Sequence, residues 1–246
     1  MPKLRRRSRV PFVATAGWSI PKTVAGSFPE TGSGLERYAA VFDGVEINST
    51  FYRRHRTTTF ERWAKAVPDH FRFSVKIPRE ITHHARLLGI ETLFHAFVDE
   101  VSALDGKLGP LLCQLPPSLG FDAQEMETAF AAMRRVFSGP LVIEPRHRSW
   151  ASQPAREVLR RHAIHRVLAD PAPVWPPAGF PDPPKYVRLH GTPDIYYSNY
   201  GDAEIRAVAR RLAPGSWCVF DNTASGAAIA NALTMRDHLK AGRQDG

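Results

Sequence analysis

The stretch Val45-Glu46-Ile47-Asn48-Ser49-Thr50-Phe51-Tyr52-Arg53 (VEINSTFYR) decides how the chain is read. Val45 and Ile47 stand two apart, the spacing of one face of a strand, and Glu46 and Asn48 fill the alternate positions. In a sheet with one wet face this is ordinary amphipathic alternation. In a barrel of parallel strands it means something else: Val45, Ile47 and Ser49 face surrounding helices, and Glu46 and Asn48 face the barrel axis. The rest of the chain chooses between the two.

Eight apolar runs of strand length recur: Phe12–Ser19, Gly44–Thr50, Arg72–Ile77, Gly109–Leu115, Leu141–Arg146, His165–Asp170, Lys185–Gly191 and Ser216–Asn222. Each opens almost continuously apolar, as strands covered on both faces do. Between several of them lie segments of helical period: Ser33–Phe42, Thr58–Val67, Thr92–Leu104, Asp122–Phe137, Gln153–His162, Asp202–Leu212 and Ala224–Leu239. Ser33 and Asp122 are placed as N-caps. The proline-rich Pro171–Lys185 reads as a loop. Strand–helix alternation implies a parallel sheet, and eight units in 246 residues match an α/β fold of one (β/α)8 TIM-type barrel. An open, doubly wound sheet is the alternative. No GxGxxG turn follows the first strand, which argues against dinucleotide binding. The expected organisation is a basic arm over 1–11, the barrel over 12–240 and a flexible tail over 241–246.

Composition, at 43% hydrophobic and 23% charged, suits one large globular domain. No apolar run reaches membrane-spanning length, so no membrane partner is expected. The arginine cluster at Arg5–Arg9 precedes a short apolar stretch broken by Gly17 and Pro21, which lacks a secretory core. Cys113 and Cys218 sit inside apolar runs and read as small core residues, consistent with a reducing cytoplasm. The net charge of +9 favours an anionic partner, either a small molecule or nucleic acid. Surface pairs such as Arg134-Arg135, Arg160-Arg161 and Arg210-Arg211 supply part of that excess without any ligand. The oligomeric state is left open.

Barrel enzymes build their sites at the C-terminal ends of the strands. Polar residues collect there in nearly every run: Glu46 and Asn48, Lys76, Gln114, Glu144 with Arg146 and His147, Asp170, Arg188 with His190, and Asp221-Asn222. Strand parity joins Ser74 with Lys76, Glu144 with Arg146, and Arg188 with His190. Glu46, Glu144, His190 and Lys76 are the candidate catalytic groups, able to act as acid, base or charge stabiliser. Asn48, Tyr52, His83, Gln114, Arg146, His147, Trp150, Asp170, Arg188, Tyr196, Tyr200 and Asn222 are the candidate binding groups. Arg146 and Arg188 would grip an anion with their planar forks, and Lys76 would add a point charge. Tyr196, Tyr197 and Tyr200 form an aromatic patch suited to stacking or to covering the barrel mouth. Trp150 either walls a pocket or packs beneath loops. The bland reading of the same charges is a structural ion network in which carboxylates and cations neutralise each other. No cofactor is required; a divalent metal would draw on Glu46, Glu144, His190 and Asp221 or Asp170, although no short-range ligand motif such as HExxH is present.

Taken in order, GWS (17–19), VEINSTFYR, FRFSVKIPREITH (71–83), LGPLLCQLPPSL (108–119), EPRHRSW (144–150), YVRLHG (186–191) and FDNTASGAAIANAL (220–233) resemble the DUF72 family, also called YecE-like proteins. The resemblance runs from about Phe12 to Leu239 and implies a TIM-type barrel. It carries the family's motif positions onto Glu46, Asn48, Phe51, Tyr52, Lys76, Thr82, His83, Gln114, Pro116, Glu144, Arg146, His147, Trp150, Arg188, His190, Gly191, Asn222 and Thr223. It brings no activity, since the family is named for an unknown function. The chain departs from the pattern at Pro145, at Asp221 and in the loop after the first strand. The expected function is an enzyme, a hydrolase or lyase, acting on a phosphorylated or nucleic-acid-like substrate. The alternatives are a nucleotide- or nucleic-acid-binding protein without catalysis, and a glycoside- or sugar-acting enzyme using Glu46 and Glu144.

Overall fold

A computed structural model of the chain describes residues 10–180 and 182–242. Of the basic arm, 1–9 lie outside the described residues, as do 243–246 of the tail. Eight strands run parallel: β1 (Phe12–Thr15), β2 (Gly44–Ile47), β3 (Arg72–Lys76), β4 (Leu108–Gln114), β5 (Leu141–Glu144), β6 (Ile164–Asp170), β7 (Tyr186–Leu189) and β8 (Trp217–Phe220). β1 pairs with β8, and the sheet continues in order back to β2. The seam between β1 and β2 is joined by a bridge between Ala16 and Glu46, with the Gly17 N–H donating to the Glu46 carbonyl at 2.9 Å. The strands therefore wrap into a TIM-type (β/α)8 barrel rather than an open sheet.

Among the described residues seven α-helices cover it: α1 (Gly34–Ala39), α2 (Thr57–Lys65), α3 (Glu91–Val101), α4 (Ala123–Val136), α5 (Gln153–Arg161), α6 (Asp202–Ala209) and α7 (Ala227–Ala241). Ser33 begins α1 with a capping box, and the Asp122 carboxylate accepts the Glu125 N–H at the start of α4, as the sequence predicts. The proline-rich connection between β6 and β7 holds only a short turn at Pro177–Gly179. Several strands end sooner than expected. β2 stops at Ile47, β5 at Glu144, β7 at Leu189 and β8 at Phe220. Asn48, Arg146, His190, Asp221 and Asn222 thus stand on the first residues of the loops. Asn48 has already turned to helical backbone angles (φ −91°, ψ −19°), so strand parity applies to Glu46 but no longer to Asn48.

The barrel has two apolar layers. Outside the strands, Val45, Ile47, Phe73, Val75, Cys113, Ile143, Val187 and Cys218 pack under the helices. Both cysteines are free and buried. Inside, Ala14, Leu112, Val142, Val167, Tyr186, Trp217 and Val219 form a separate cluster. Trp217 closes the lower end, stacked on Phe12 at 4.8 Å and parallel to Tyr186 at 6.0 Å. Two glycines admit the indole. A Cβ at Gly44 would lie 3.0 Å from the Trp217 ring, and one at Gly109 would lie 2.9 Å from the Phe73 carbonyl oxygen and 3.1 Å from that ring.

Gly109→Ala is accordingly expected to destabilise the fold by about 1–3 kcal/mol, because backbone and indole must both give way. Gly106→Ala, whose Cβ meets nothing within 4 Å, is the control and is expected to shift stability by less than about 0.5 kcal/mol. Urea unfolding midpoints of the two variants check this.

Candidate functional site at the barrel mouth

Above the apolar floor the interior changes character. The Tyr186 hydroxyl donates to Glu46 Oε2 at 2.8 Å and lies 2.7 Å from Ser74 Oγ, marking the upper limit of the apolar cluster. Over it sits Arg188, fully buried. Its Nε donates to Glu46 Oε2 (3.1 Å), Nη2 to Glu46 Oε1 (2.8 Å) and Asp221 Oδ2 (2.9 Å), and Nη1 to Glu144 Oε2 (2.8 Å). One guanidinium from β7 thereby ties the ends of β2, β5 and β8. His190 completes the layer, with Nδ1 3.0 Å from Asp221 Oδ2 and Nε2 3.0 Å from Glu144 Oε1. Gln114 donates Nε2–H to Glu144 Oε1 at 2.9 Å.

This arrangement corrects one expectation. The Arg188 fork was assigned to an incoming anion; it is spent instead on three carboxylates of the chain itself. Strand parity gives its direction but not its depth. The structural ion network and the candidate site share residues, and Arg188 belongs to the network.

The charges set each other's protonation. Burial alone would favour neutral carboxyls, yet Arg188 and His190 hold Glu144 well below the usual carboxylate range and also lower Asp221. Burial likewise works against a charged His190, but Glu144 and Asp221 outweigh it and raise its pKa. Both ring nitrogens face carboxylates, the geometry of an imidazolium.

Nearer the opening the cations are less committed. Lys76, at the end of β3, is only 5% exposed, with its ammonium 4.2 Å from the centroid of the Phe51 ring. Burial first and the Arg188 charge second bring its pKa down to about 8, against partial opposition from Glu46, Asp221 and Glu144. Arg146 is partly exposed and touches Glu144 Oε1 only at 3.4 Å. His83 packs edge-on against the same Phe51 ring at 4.9 Å. Burial lowers its pKa, and the charges of Lys76, Arg146 and His84 add to the effect. Asn48 Oδ1 and Asn222 Oδ1 are buried with no hydrogen-bond partner among the described residues.

Other candidates do not join this group. Trp150 is fully buried, donates its indole N–H to the Leu119 carbonyl (3.0 Å) and packs on Phe121. Asp170 Oδ2 accepts from Thr192 Oγ1 and the Tyr200 hydroxyl, which itself accepts the Gly191 N–H at 2.8 Å. His147 Nδ1 lies 2.8 Å from Ser149 Oγ and caps a turn. Asn222 Nδ2 donates to the Ser198 carbonyl and Asn231 Oδ1. Trp150, Asp170, Tyr200 and His147 fix the loops, and so does the Asn222 amide nitrogen, although its Oδ1 stays unpartnered among the described residues. Tyr196 reaches His190 edge-on at 6.0 Å, and Tyr52 is exposed. Among the described residues no group of three or more His, Cys, Asp or Glu side chains is arranged to hold a metal, because the buried carboxylates are turned onto Arg188. A groove of about 710 Å³ lies beside α6 and α7, but its lining His238 is paired with Asp202 and, among the described residues, no catalytic cluster accompanies it.

Sequence reasoning left out Tyr186, and it kept Asp221 only as a metal ligand. Tyr186 lies two residues before Arg188 on β7, so carrying the parity argument one step toward the floor would have found it.

Fold and site together define a TIM-type barrel with a buried charged layer beneath a cationic C-terminal mouth. The model of the family described as "Protein of unknown function DUF72" matches residues 12–245, and the chain belongs to that family. Among curated relatives, YecE of Escherichia coli is 33% identical over 109 residues, covering 44% of this chain and 39% of that protein. YunF of Bacillus subtilis is 28% identical over 154 residues, covering 59% and 54%. The matched stretches thus span about half or less of each relative. A crystal structure of a DUF72 family protein from Thermotoga maritima superposes with a TM-score of 0.75 at 26% identity, covering 94% of this chain and 99% of that one. One from Enterococcus faecalis gives 0.76 at 22%, covering 93% and 95%, and shares the fold.

Two outcomes follow. Arg188→Met, which strands three buried carboxylates, is expected to lower stability by about 3–5 kcal/mol in denaturant unfolding. The second concerns pH. The lowered Glu144 and Asp221 contribute stability that is fully present above their ordinary values of 4.5 and 3.8 and is lost as pH falls through their folded values. The raised His190 contributes stability that is fully present below 6.5 and is lost as pH rises through its folded value. Unfolding free energy should therefore decline as pH rises above 6.5, and His190→Gln should flatten that slope.

Proposed function

We propose that the chain is an enzyme acting on a phosphorylated or similarly anionic substrate bound at the barrel mouth. The observation that carries this reading is the set of Lys76, Arg146 and His83 directly above a layer whose own carboxylates are already committed. Arg146 is the cation free enough to grip a phosphate, since its contact with Glu144 is long and its side chain reaches the opening. Asn48 Oδ1 and Asn222 Oδ1, buried and unpartnered, supply acceptors for substrate hydroxyls. His190, held as an imidazolium between Glu144 and Asp221, is the proton reservoir. Glycoside hydrolysis fits less well, because its acid requires a carboxyl of raised pKa and Glu144 is shifted the other way.

The second reading is nucleotide or single-stranded nucleic-acid binding without turnover. The exposure of Tyr52, Tyr196 and Tyr197 favours it, since such rings serve as stacking platforms.

Calorimetric titration with inorganic phosphate and mononucleotides separates these. Arg146→Ala is expected to weaken binding about ten-fold, equivalent to ~1.4 kcal/mol; undiminished affinity refutes the anion site. For an enzyme, Glu144→Gln keeps anion binding and abolishes turnover of phosphate esters. If instead Tyr196→Ala removes nucleotide affinity and no ester is turned over by the wild type, the binding reading stands.

A further inference from the structure

Lys76 is an anomaly in an interior where other buried charges are matched. Glu46, Glu144 and Asp221 all accept hydrogen bonds from Arg188, and the latter two also face His190. Lys76 has no ion pair or side-chain hydrogen bond with any of them among the described residues; its ammonium rests on the Phe51 ring. Its strand neighbour of like parity, Ser74, touches Tyr186 inside the barrel, so Lys76 points up the same interior wall. The Thr50 hydroxyl donates to the Lys76 carbonyl at 2.7 Å and fixes the backbone beneath it. A desolvated amine beside another cation is the setting in which lysine becomes a nucleophile.

We infer that Lys76 forms an imine with the carbonyl carbon of a phosphorylated hydroxy-aldehyde or hydroxy-ketone, a compound of the sugar-phosphate class. The phosphate preference rests on the anion-site reading above; the imine does not. The step balances without a co-reactant. The Lys76 ammonium and the carbonyl group give an iminium and one water, so two ammonium hydrogens leave on the carbonyl oxygen. A C–N bond forms and the C–O bond breaks. The proton lifted before attack passes to a neutral neighbour and returns to the departing hydroxyl. His83, packed on the same aromatic ring and kept uncharged by burial and by the cations around it, is placed to carry it. Ammonium and iminium each hold one positive charge, so the surrounding carboxylates stabilise the adduct as they did the free lysine. An iminium withdraws electrons from the adjoining carbon, which suits cleavage of a neighbouring C–H or C–C bond. The pKa near 8 agrees with this role, giving neutral amine on the order of a hundredfold more abundant at pH 7 than in an ordinary lysine.

Reductive trapping tests it. The full chain is incubated with dihydroxyacetone phosphate, or with dihydroxyacetone, and sodium cyanoborohydride, and adducts are located by peptide mass spectrometry. Lys76 is expected to carry at least about ten-fold more label than Lys22, Lys65, Lys107, Lys185 or Lys240, at a rate that rises with pH through about 8. The excess should vanish in Lys76→Arg, which keeps the charge, and in Lys76→Met. Label spread evenly over the lysines, or absent from Lys76, overturns the inference. Equal labelling of Lys76 by both probes upholds the imine and removes the phosphate subsite. If a variant fails to fold, the distribution on the wild-type chain still decides.

Discussion

The interior of this barrel is organised by one buried cation. Arg188 lies where a charge without partners would be prohibitively unfavourable, and three carboxylates from three other strand ends surround it. Each carboxylate would in turn be untenable without the guanidinium. Glu46 joins two roles. Its side chain receives two of the Arg188 bonds and the Tyr186 hydroxyl, and its backbone joins the seam between β2 and β1. Closure of the barrel and neutralisation of its interior thus meet in one residue.

The same interaction shapes the chemistry above it. With the carboxylates saturated from below, Lys76 and Arg146 are the cations left over. Had Lys76 paired with Glu46, it would be an ordinary internal ion pair with an unremarkable ammonium. Because Arg188 takes that place, Lys76 is left on an aromatic face with burial working against its charge. His190 experiences the opposite bias, since its nitrogens face the two carboxylates that Arg188 shares. A few ångströms of interior therefore contain one base driven toward neutrality and one held in its charged form.

Much of this was legible in the chain. Eight apolar runs and their helical spacers led to the barrel, and the alternation of Val45-Glu46-Ile47 placed a carboxylate on its axis. Ser33 and Asp122 marked helix starts through hydrogen bonds that act over three residues, which is why local sequence reveals them. Depth was not legible. Parity distinguishes inside from outside but not a guanidinium walled by carboxylates from one open to solvent, and four of the five Arg188 N–H donors go to carboxylates of the chain itself. The sequence left Trp150 and Tyr200 open between site and loop packing, and placed Asp170 in the site, for a related reason. They stand at strand ends like the site residues, but their partners, Leu119, Thr192 and Gly191, lie on loops whose paths no periodicity describes. Asn48 stands one residue past β2, which ends at Ile47 rather than at Thr50, so parity no longer sets its direction.

The indole of Trp217, seated against Gly44 and Gly109, gives the interior a topology as well as a floor. A barrel stoppered at one end is a cul-de-sac. On the anion-site reading, whatever binds over Lys76 and Arg146 also leaves past them, because Arg188, Tyr186 and Trp217 fill the interior below. Exchange on that reading is one-sided: a bound molecule and the water it displaces share the C-terminal face, and no passage through the barrel competes with it.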